Sequence, residues 1–373
     1  MPDDPFPIDR EACRGRQRRL LAALEPLDVD ATLLTRRESV QWVTGVCVRP
    51  PFEPVALITG KGHVTLVMPE HLLDETAAAD DILGYDAKWH ATTRDDQRFA
   101  SALTIEPKLP KALKQVACEF EAFAPSLLIG LNAPLVEIDS VLFELRRRKD
   151  ADELRLMAKA NEANRAMYEQ ARRIVRPGLN ELELFGEMHR VAVDSLGEAP
   201  TYFGQDFRFS HPGGPPRDRV AQAGEILILD LGVGFRGYHS DNARAIAVDG
   251  APTADQLRAW ETVQGVFDMI ASEAKPGCSC RRLYDLAYRQ LNRRSSWTFN
   301  HHLGHGVGLA PHEGPHLNPY WDDILAEGDF LAVEPGVYHE SLRAGVRLEQ
   351  NYLVTGDGVQ LITDWPLELT ATL

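Results

Sequence analysis

Cysteine is scarce in this sequence, five in 373 residues. Cys13, Cys47, Cys118, Cys278 and Cys280 make an odd number with no recurring spacing. That excludes the disulfide framework of a small secreted domain, and the C-x-C at 278–280 has no second pair for a zinc knuckle. Long apolar runs are missing as well; none approaches the ~20 residues that a membrane helix needs. The opening MPDDPFPIDR lacks the apolar stretch of a secretory signal, so a reduced, cytoplasmic protein is expected. Positive charge is also short. Lysine and arginine number 40 against 55 aspartates and glutamates, a formal net charge of −15, which argues against nucleic acid or an anionic membrane as a main partner.

What is present is an ordinary globular balance of apolar and charged residues, in a chain long enough for two domains. RQRRLLAALEPL has apolar residues at helical spacing, and ATLLT, PVALIT, HVTLVM and VACEF are strand-like, with the turn signal GKG between the second and third. IDSVLFELRRR then reads as a helix. This alternation predicts a small α/β domain over 1–147. The charged stretch RRRKDADE at 146–153 marks the boundary and opens a helix from Asp150 to Val175, with a second domain over 148–373.

The second domain carries a faint duplication. RPGLNELEL at 176–184 and KPGCSCRRL at 275–283 share a layout. A helix follows each, then a histidine-bearing loop, then two strands with acidic residues: His211, Asp230 and Asp241 in the first half, His305, His312, Glu334 and Glu349 in the second. Two related halves that bring these four carboxylates together are expected.

Those carboxylates need an explanation. Asp230 closes the apolar run ILILD, and Asp241 enters the next strand after GVGFRG, so a hairpin returns it to the neighbourhood of Asp230. Glu334 follows FLAV, and Glu349 precedes the strand-like NYLV. One such residue alone could cap a turn, and Arg347 is an obvious neutralising partner for Glu349. Four carboxylates in apolar surroundings are costly unless paired or bound to cations. Residues 301–316, HHLGHGVGLAPHEGPH, hold five of the twelve histidines, and neutral imidazole is a common metal ligand. Such a donor set favours divalent manganese, iron, cobalt or zinc, and four carboxylates are balanced better by two adjacent ions than by one.

Taken together, these segments resemble the pita-bread metallopeptidases, a family that includes Xaa-Pro aminopeptidases, prolidases and methionine aminopeptidases. ILILDLGVGFRGYHSDNAR resembles its two-aspartate segment, GHGVGLAPHEGP its histidine segment, VEPGVY its first glutamate segment and GVRLEQNYLVT its second. The resemblance implies an α+β fold, with a pita-bread C-terminal catalytic domain and a smaller α/β creatinase/prolidase-like N-terminal domain. It implies two divalent metal ions, manganese first and cobalt, zinc or iron as alternatives, held by Asp230, Asp241, His305, Glu334 and Glu349. Asp241 and His305 would hold one ion, and Asp230 and Glu349 would belong to the other, with shared carboxylates between them. Glu334 would take a proton from the attacking water, His312 would hydrogen-bond the substrate carbonyl, and His301 and Arg347 would line the substrate pocket. Gly304, Gly306 and Gly308 are expected to let the backbone pass close to metal and substrate. His302 and His316 receive no role, and His239 is read as turned away.

Two departures from the family pattern stand out. The segment DFRFSHPGGPPRDRVAQAGEILILD lacks the family's Asn and the proline before its histidine, so His211 is the best available catalytic candidate there. Ala243 replaces a common threonine. The N-terminal third resembles that of prolidases, bacterial Xaa-Pro aminopeptidases and creatinase, and the five intact ligands argue against creatinase. A cytoplasmic homodimer that cleaves Xaa-Pro bonds in short proline-containing peptides is therefore expected, as a dipeptidase or an aminopeptidase. The alternatives are a metal-dependent hydrolase or lyase acting on a small non-peptide substrate, and a non-catalytic binding homologue.

Overall fold

The strand-like and helix-like runs of the first third assemble into a unit of their own. The computed structural model describes residues 4–128, 131–293 and 296–370, and the chain divides into two units, Met1–Arg146 and Arg147–Leu373. In the first, α1 (Arg10–Leu24) starts where Asp9 accepts a hydrogen bond from the Ala12 N–H. Then come β1 (Ala31–Leu34), α2 (Arg37–Thr44), β2 (Val55–Thr59), β3 (Val64–Pro69) and β4 (Asp81–Tyr85). The small hairpin β5 (Lys88–Trp89) and β6 (Thr92–Thr93) leads to α3 (Gln97–Ile105), β7 (Val116–Cys118), β8 (Leu135–Glu137) and α4 (Asp139–Arg147). The sheet order is β4-β3-β2-β1-β7-β8, antiparallel from β1 to β3 and parallel at β1–β7, β3–β4 and β7–β8. Every residue of β1 and β3 is buried, which is why both read as continuous runs rather than alternations.

In the second unit α5 (Ala151–Ile174) begins with a capping box between Asp150 and Glu153, and α6 (Glu181–Leu196) with one between Asn180 and Glu183. The strands β9 (Tyr202–Phe209), β10 (Ile226–Phe235) and β11 (Tyr238–Ala247) form an antiparallel sheet in the order β11-β10-β9. The second half gives α7 (Ala254–Glu273), α8 (Cys280–Leu291), β12 (Gly304–Gly306), β13 (Glu313–Leu317) and β14 (Phe330–Val333). It ends with β15 (Gly336–His339), β16 (Ala344–Arg347), β17 (Gln350–Val354) and β18 (Val359–Leu361). Here the main sheet is ordered β13-β12-β14-β17-β18, and β15 pairs with β16.

The duplication is visible bond by bond. Gly178 and Gly277 both take left-handed φ, 89° and 84°. Gly178 N–H donates to the Ala221 carbonyl at 2.9 Å and Gly277 N–H to that of Leu325 at 2.8 Å. The return bonds, Ala221 to Leu179 and Leu325 to Cys278, are 2.8 and 2.9 Å. The next pair, Glu181 to Arg219 and Cys280 to Asp323, are both 2.9 Å. Beyond them the Glu225 carboxylate accepts from Gln222 N–H as the Asp329 carboxylate accepts from Ala326 N–H, both at 2.8 Å. The strand that follows each of these carboxylates delivers Asp230 in one half and Glu334 in the other. The Pro-Gly turn is thus the visible end of a longer shared framework that sets where the acidic residues emerge.

Candidate metal centre

β10 and β11 pair with Asp230 opposite Ala243 and Gly232 opposite Asp241. Asp230 and Asp241 are therefore diagonal neighbours on one face of the hairpin. Glu334 emerges from β14, with its N–H on the Leu303 carbonyl at 2.8 Å. Glu349 lies between β16 and β17 and docks on β11, its N–H donating to the Ala243 carbonyl at 3.0 Å. Two asparagines stitch this junction reciprocally: Asn242 Nδ2 donates to the Glu349 carbonyl at 3.0 Å and Asn351 Nδ2 to that of Asp241 at 2.8 Å. The two halves thus hold their carboxylates together through backbone as well as side chain.

Asp230, Asp241 and Glu349 each present an oxygen to one cluster in which these atoms lie within 4.8 Å of one another, and the nitrogens of His302, His305 and His312 form a second such cluster. Asp241 and Glu334 link the two. His305 Nε2 is 3.7 Å from Asp241 Oδ2 and 3.5 Å from Glu334 Oε1, and His312 Nε2 is 3.9 Å from Asp241 Oδ2. His305 and His312 stack at 3.8 Å and 10°. His305 Nδ1 lies 2.9 Å from the Gly306 carbonyl. That contact assigns the ring proton to Nδ1 and leaves the Nε2 lone pair directed into the pocket.

The electrostatics are those of acids crowded without enough cations. Burial first and repulsion from neighbouring carboxylates second raise Asp241 and Glu349 well above the carboxylate range, and burial with Asp206 and Glu334 pushes Asp230 up to about 6 despite Arg347. Burial would also raise Glu334, but the hydrogen bond from His302, first among the contacts that lower it, holds this carboxyl well below its usual range. Asp230 Oδ1 and Glu349 Oε1 are buried with no hydrogen-bond partner. Orphaned, repelling carboxylate oxygens beside a bare imidazole nitrogen fit divalent cations.

The pocket, about 330 Å³, is lined by these five residues with His301, His302, His312, Tyr338 and Arg347, and by Gln205, Asp206 and Pro212 of the β9 side. Several expectations need correction. Arg347 does not serve Glu349: it bonds Asp230 at 2.8 Å and also Asp206, and its Nη1 donates to the Pro212 carbonyl at 2.9 Å. His211 is not among the pocket-lining residues; its Nδ1 sits 2.5 Å from the Gly213 carbonyl, and Pro212 lines the pocket instead. His239 is two residues from Asp241 and so shares its strand face, the reverse of the expectation, but its ring meets the Gly308 carbonyl at 3.2 Å. Gly304 and Gly306 of the histidine loop serve the sheet. A Cβ at Gly304 would lie 2.1 Å from the Ala332 carbonyl oxygen, and one at Gly306 2.0 Å from that of Gly314.

Asp206 and His302 were missed in the sequence. Asp206 pairs in register with Asp230 across β9 and β10, a placement that requires the sheet to be known. His302 belongs to the same histidine run, and its Nε2 is 2.6 Å from Glu334 Oε1.

Comparison with known proteins agrees with this architecture. Residues 155–356 match metallopeptidase family M24 and residues 16–147 the creatinase/prolidase N-terminal domain. An Xaa-Pro dipeptidase of Pyrococcus horikoshii is 27% identical over 358 residues, spanning 94% of this chain and 97% of its own. One of Pyrococcus furiosus is 32% identical over 239 residues, 62% of this chain and 68% of its own. The crystal structure of the prolidase from Pyrococcus horikoshii OT3 matches with a TM-score of 0.79 at 24% identity, covering 95% of this chain and 99% of that one. The fold is the expected one, a pita-bread domain preceded in the chain by a creatinase/prolidase-like α/β domain.

Proposed function

This chain belongs to metallopeptidase family M24, and from that premise we propose that it hydrolyses the peptide bond before proline, as an Xaa-Pro dipeptidase or aminopeptidase. The observation that carries the reading is the convergence of Asp230, Asp241, His305, Glu334 and Glu349 on one pocket that also contains His301 and His312. Its volume, about 330 Å³, suits a short peptide and is small for a protein chain. The similarity to Xaa-Pro dipeptidases over most of the chain supports the bond cleaved.

Asp241 and His305 would hold one divalent ion and Asp230 and Glu349 belong to the other, with shared carboxylates between them. Bound there, two such ions supply a nucleophilic water at neutral pH and polarisation of the scissile carbonyl. The protein's own groups do the rest. Glu334, kept ionised by the His302 hydrogen bond, accepts the proton of the attacking water. His312 is held neutral, since burial depresses its pKa to about 4, and its ring N–H donates to the oxygen that gains charge. Arg347, fixed between Asp230 and Asp206, orients the wall of the pocket toward the substrate.

The test is hydrolysis of Ala-Pro and of a longer Xaa-Pro peptide with added manganese or cobalt. Cleavage of the dipeptide alone makes the protein a dipeptidase, and cleavage of the longer peptide an aminopeptidase. No cleavage of either by metal-loaded protein would sink the assignment. That outcome favours a second reading, a metal-dependent hydrolase or lyase of a small non-peptide substrate. One observation supports that alternative: the segment at 206–213 offers Asp206 and Pro212 to the pocket, and not His211.

Manganese is the first candidate, because four carboxylates to one imidazole make a hard, oxygen-rich donor set. We place the protein in the cytoplasm, because its five cysteines in 373 residues have no disulfide-framework spacing. Among the described residues, no helix is long and apolar enough to cross a membrane. A homodimer is our proposal from the character of the N-terminal domain. Sedimentation across a concentration series is expected to show a dimer, and a monomer at every concentration would remove it.

A further inference from the structure

His302 is neither a ligand nor a substrate-contacting group in the reading above, yet its Nε2 lies 2.6 Å from Glu334 Oε1. Its side chain is 38% exposed, against 12% for Glu334, so it approaches from the open side of the pocket. Three other imidazoles hold the ring edge-on: His305 at 5.5 Å and 80°, His312 at 5.8 Å and 90°, and His301 at 5.9 Å and 85°. A side chain gripped in this way has little freedom to rotate away from its partner.

A second side-chain contact to Glu334 comes from His305 Nε2 at 3.5 Å. Because the His305 proton sits on Nδ1, facing the Gly306 carbonyl, Nε2 carries a lone pair and cannot donate to a carboxylate. The two imidazoles at Glu334 are therefore not equivalent. His305 offers an electron pair to a cation, whereas His302 offers an N–H to the carboxylate.

We propose that His302 is a positioning residue for Glu334. It holds one carboxylate oxygen by a charge-assisted hydrogen bond, so that the group keeps a single orientation toward the His305 side of the pocket. This rests on the reading of Glu334 as ligand and proton acceptor given above. Glu334 stands at a strand end before Pro335 and Gly336, where the backbone alone leaves its side-chain torsions free. Supplying that missing restraint is the contribution of His302.

The experiment compares His302→Ala and His302→Gln with the parent and with Asp241→Ala, all as full-length protein. Manganese affinity is measured by calorimetric titration, the visible spectrum is recorded on cobalt-loaded protein, and kcat and KM are measured on Ala-Pro. His302→Ala is expected to bind manganese roughly 10–100-fold more weakly, with an altered cobalt spectrum and a lower kcat at nearly constant KM. His302→Gln, whose amide N–H can still reach Glu334, is expected to recover most of the affinity and of the parent spectrum. Parent-like affinity and spectrum in His302→Ala overturn the proposal, and so does a glutamine variant no better than alanine. Asp241→Ala separates the two levels: retention of metal there overturns the reading of the centre on which the proposal rests.

Discussion

Asp241→Ala and His305→Ala will each reduce hydrolysis of Ala-Pro to background and lower the bound metal, with the fold retained. Asp241 belongs to the carboxylate cluster, within 4.8 Å of the Asp230 and Glu349 ligand atoms, and reaches toward the histidine cluster, 3.7 Å from His305 Nε2. On the proposed assignment its loss would damage both ion positions, whereas His305→Ala would remove the imidazole from one. The fold survives because the backbone at Asp241 is held independently, by the Asn351 amide and by the β10 ladder. Metal analysis after dialysis, with far-ultraviolet circular dichroism, checks both halves of the statement. Full activity in either variant would show the ligand assignment to be wrong.

The same crowding gives a pH dependence whose sign can be worked out. Asp230, Asp241 and Glu349 have pKa values raised in the folded protein, so the folded state binds more protons than the unfolded chain. Between about pH 4 and 6.5 these carboxyls are opposed by His301 and His312, whose pKa values burial depresses to about 4, so it is above that window that stability of the chelated protein falls as pH rises. Divalent metal should flatten that slope by replacing the protons. Asp241→Ala, with one carboxylate fewer, should show a shallower slope in the chelated state. Denaturant midpoints measured from about pH 6.5 to 8.5, with and without manganese, test it. A chelated parent protein that grows more stable over that range contradicts the account.

Those same residues show what could be read without a structure. The acidic residues at strand ends were legible because burying a carboxylate in ILILD or FLAV has few physical solutions. The two Pro-Gly turns were legible because a left-handed residue after a helix calls for glycine. The helices α2 and α3 were not. RESVQWVT buries Ser39, Gln41 and Thr44 beside its apolar residues, and α3 is only 9 residues long, so neither shows a clean apolar stripe. The partner of Arg347 was misjudged because proximity in sequence suggested Glu349, whereas the β9–β10 register brings Asp206 and Asp230 to it. His211 was chosen as the one histidine available in its segment, and elimination of that kind cannot reveal that its neighbour Pro212 lines the pocket.

His312→Ala should keep its metal and lose about 10²–10³-fold in kcat, the cost of one lost donor to a developing oxyanion. Its Nε2 faces the same space as His305 Nε2, 3.9 Å from Asp241 Oδ2, and half its side chain is exposed to the pocket mouth. Held neutral at pH 7, the ring carries one N–H that it can give to substrate. His301 differs. Nδ1 lies 2.7 Å from the His302 carbonyl and Nε2 2.9 Å from the Tyr338 hydroxyl, so both nitrogens already have partners inside the protein. It can shape the pocket but has no free donor, and His301→Ala should raise KM more than it lowers kcat. His211→Ala, altering a ring turned to Gly213, should behave nearly as the parent. Steady-state kinetics on Ala-Pro with metal content measured in parallel separates the three. If His312→Ala instead loses its metal, the stacked ring is supporting His305 as a ligand, and the oxyanion role must go to another group.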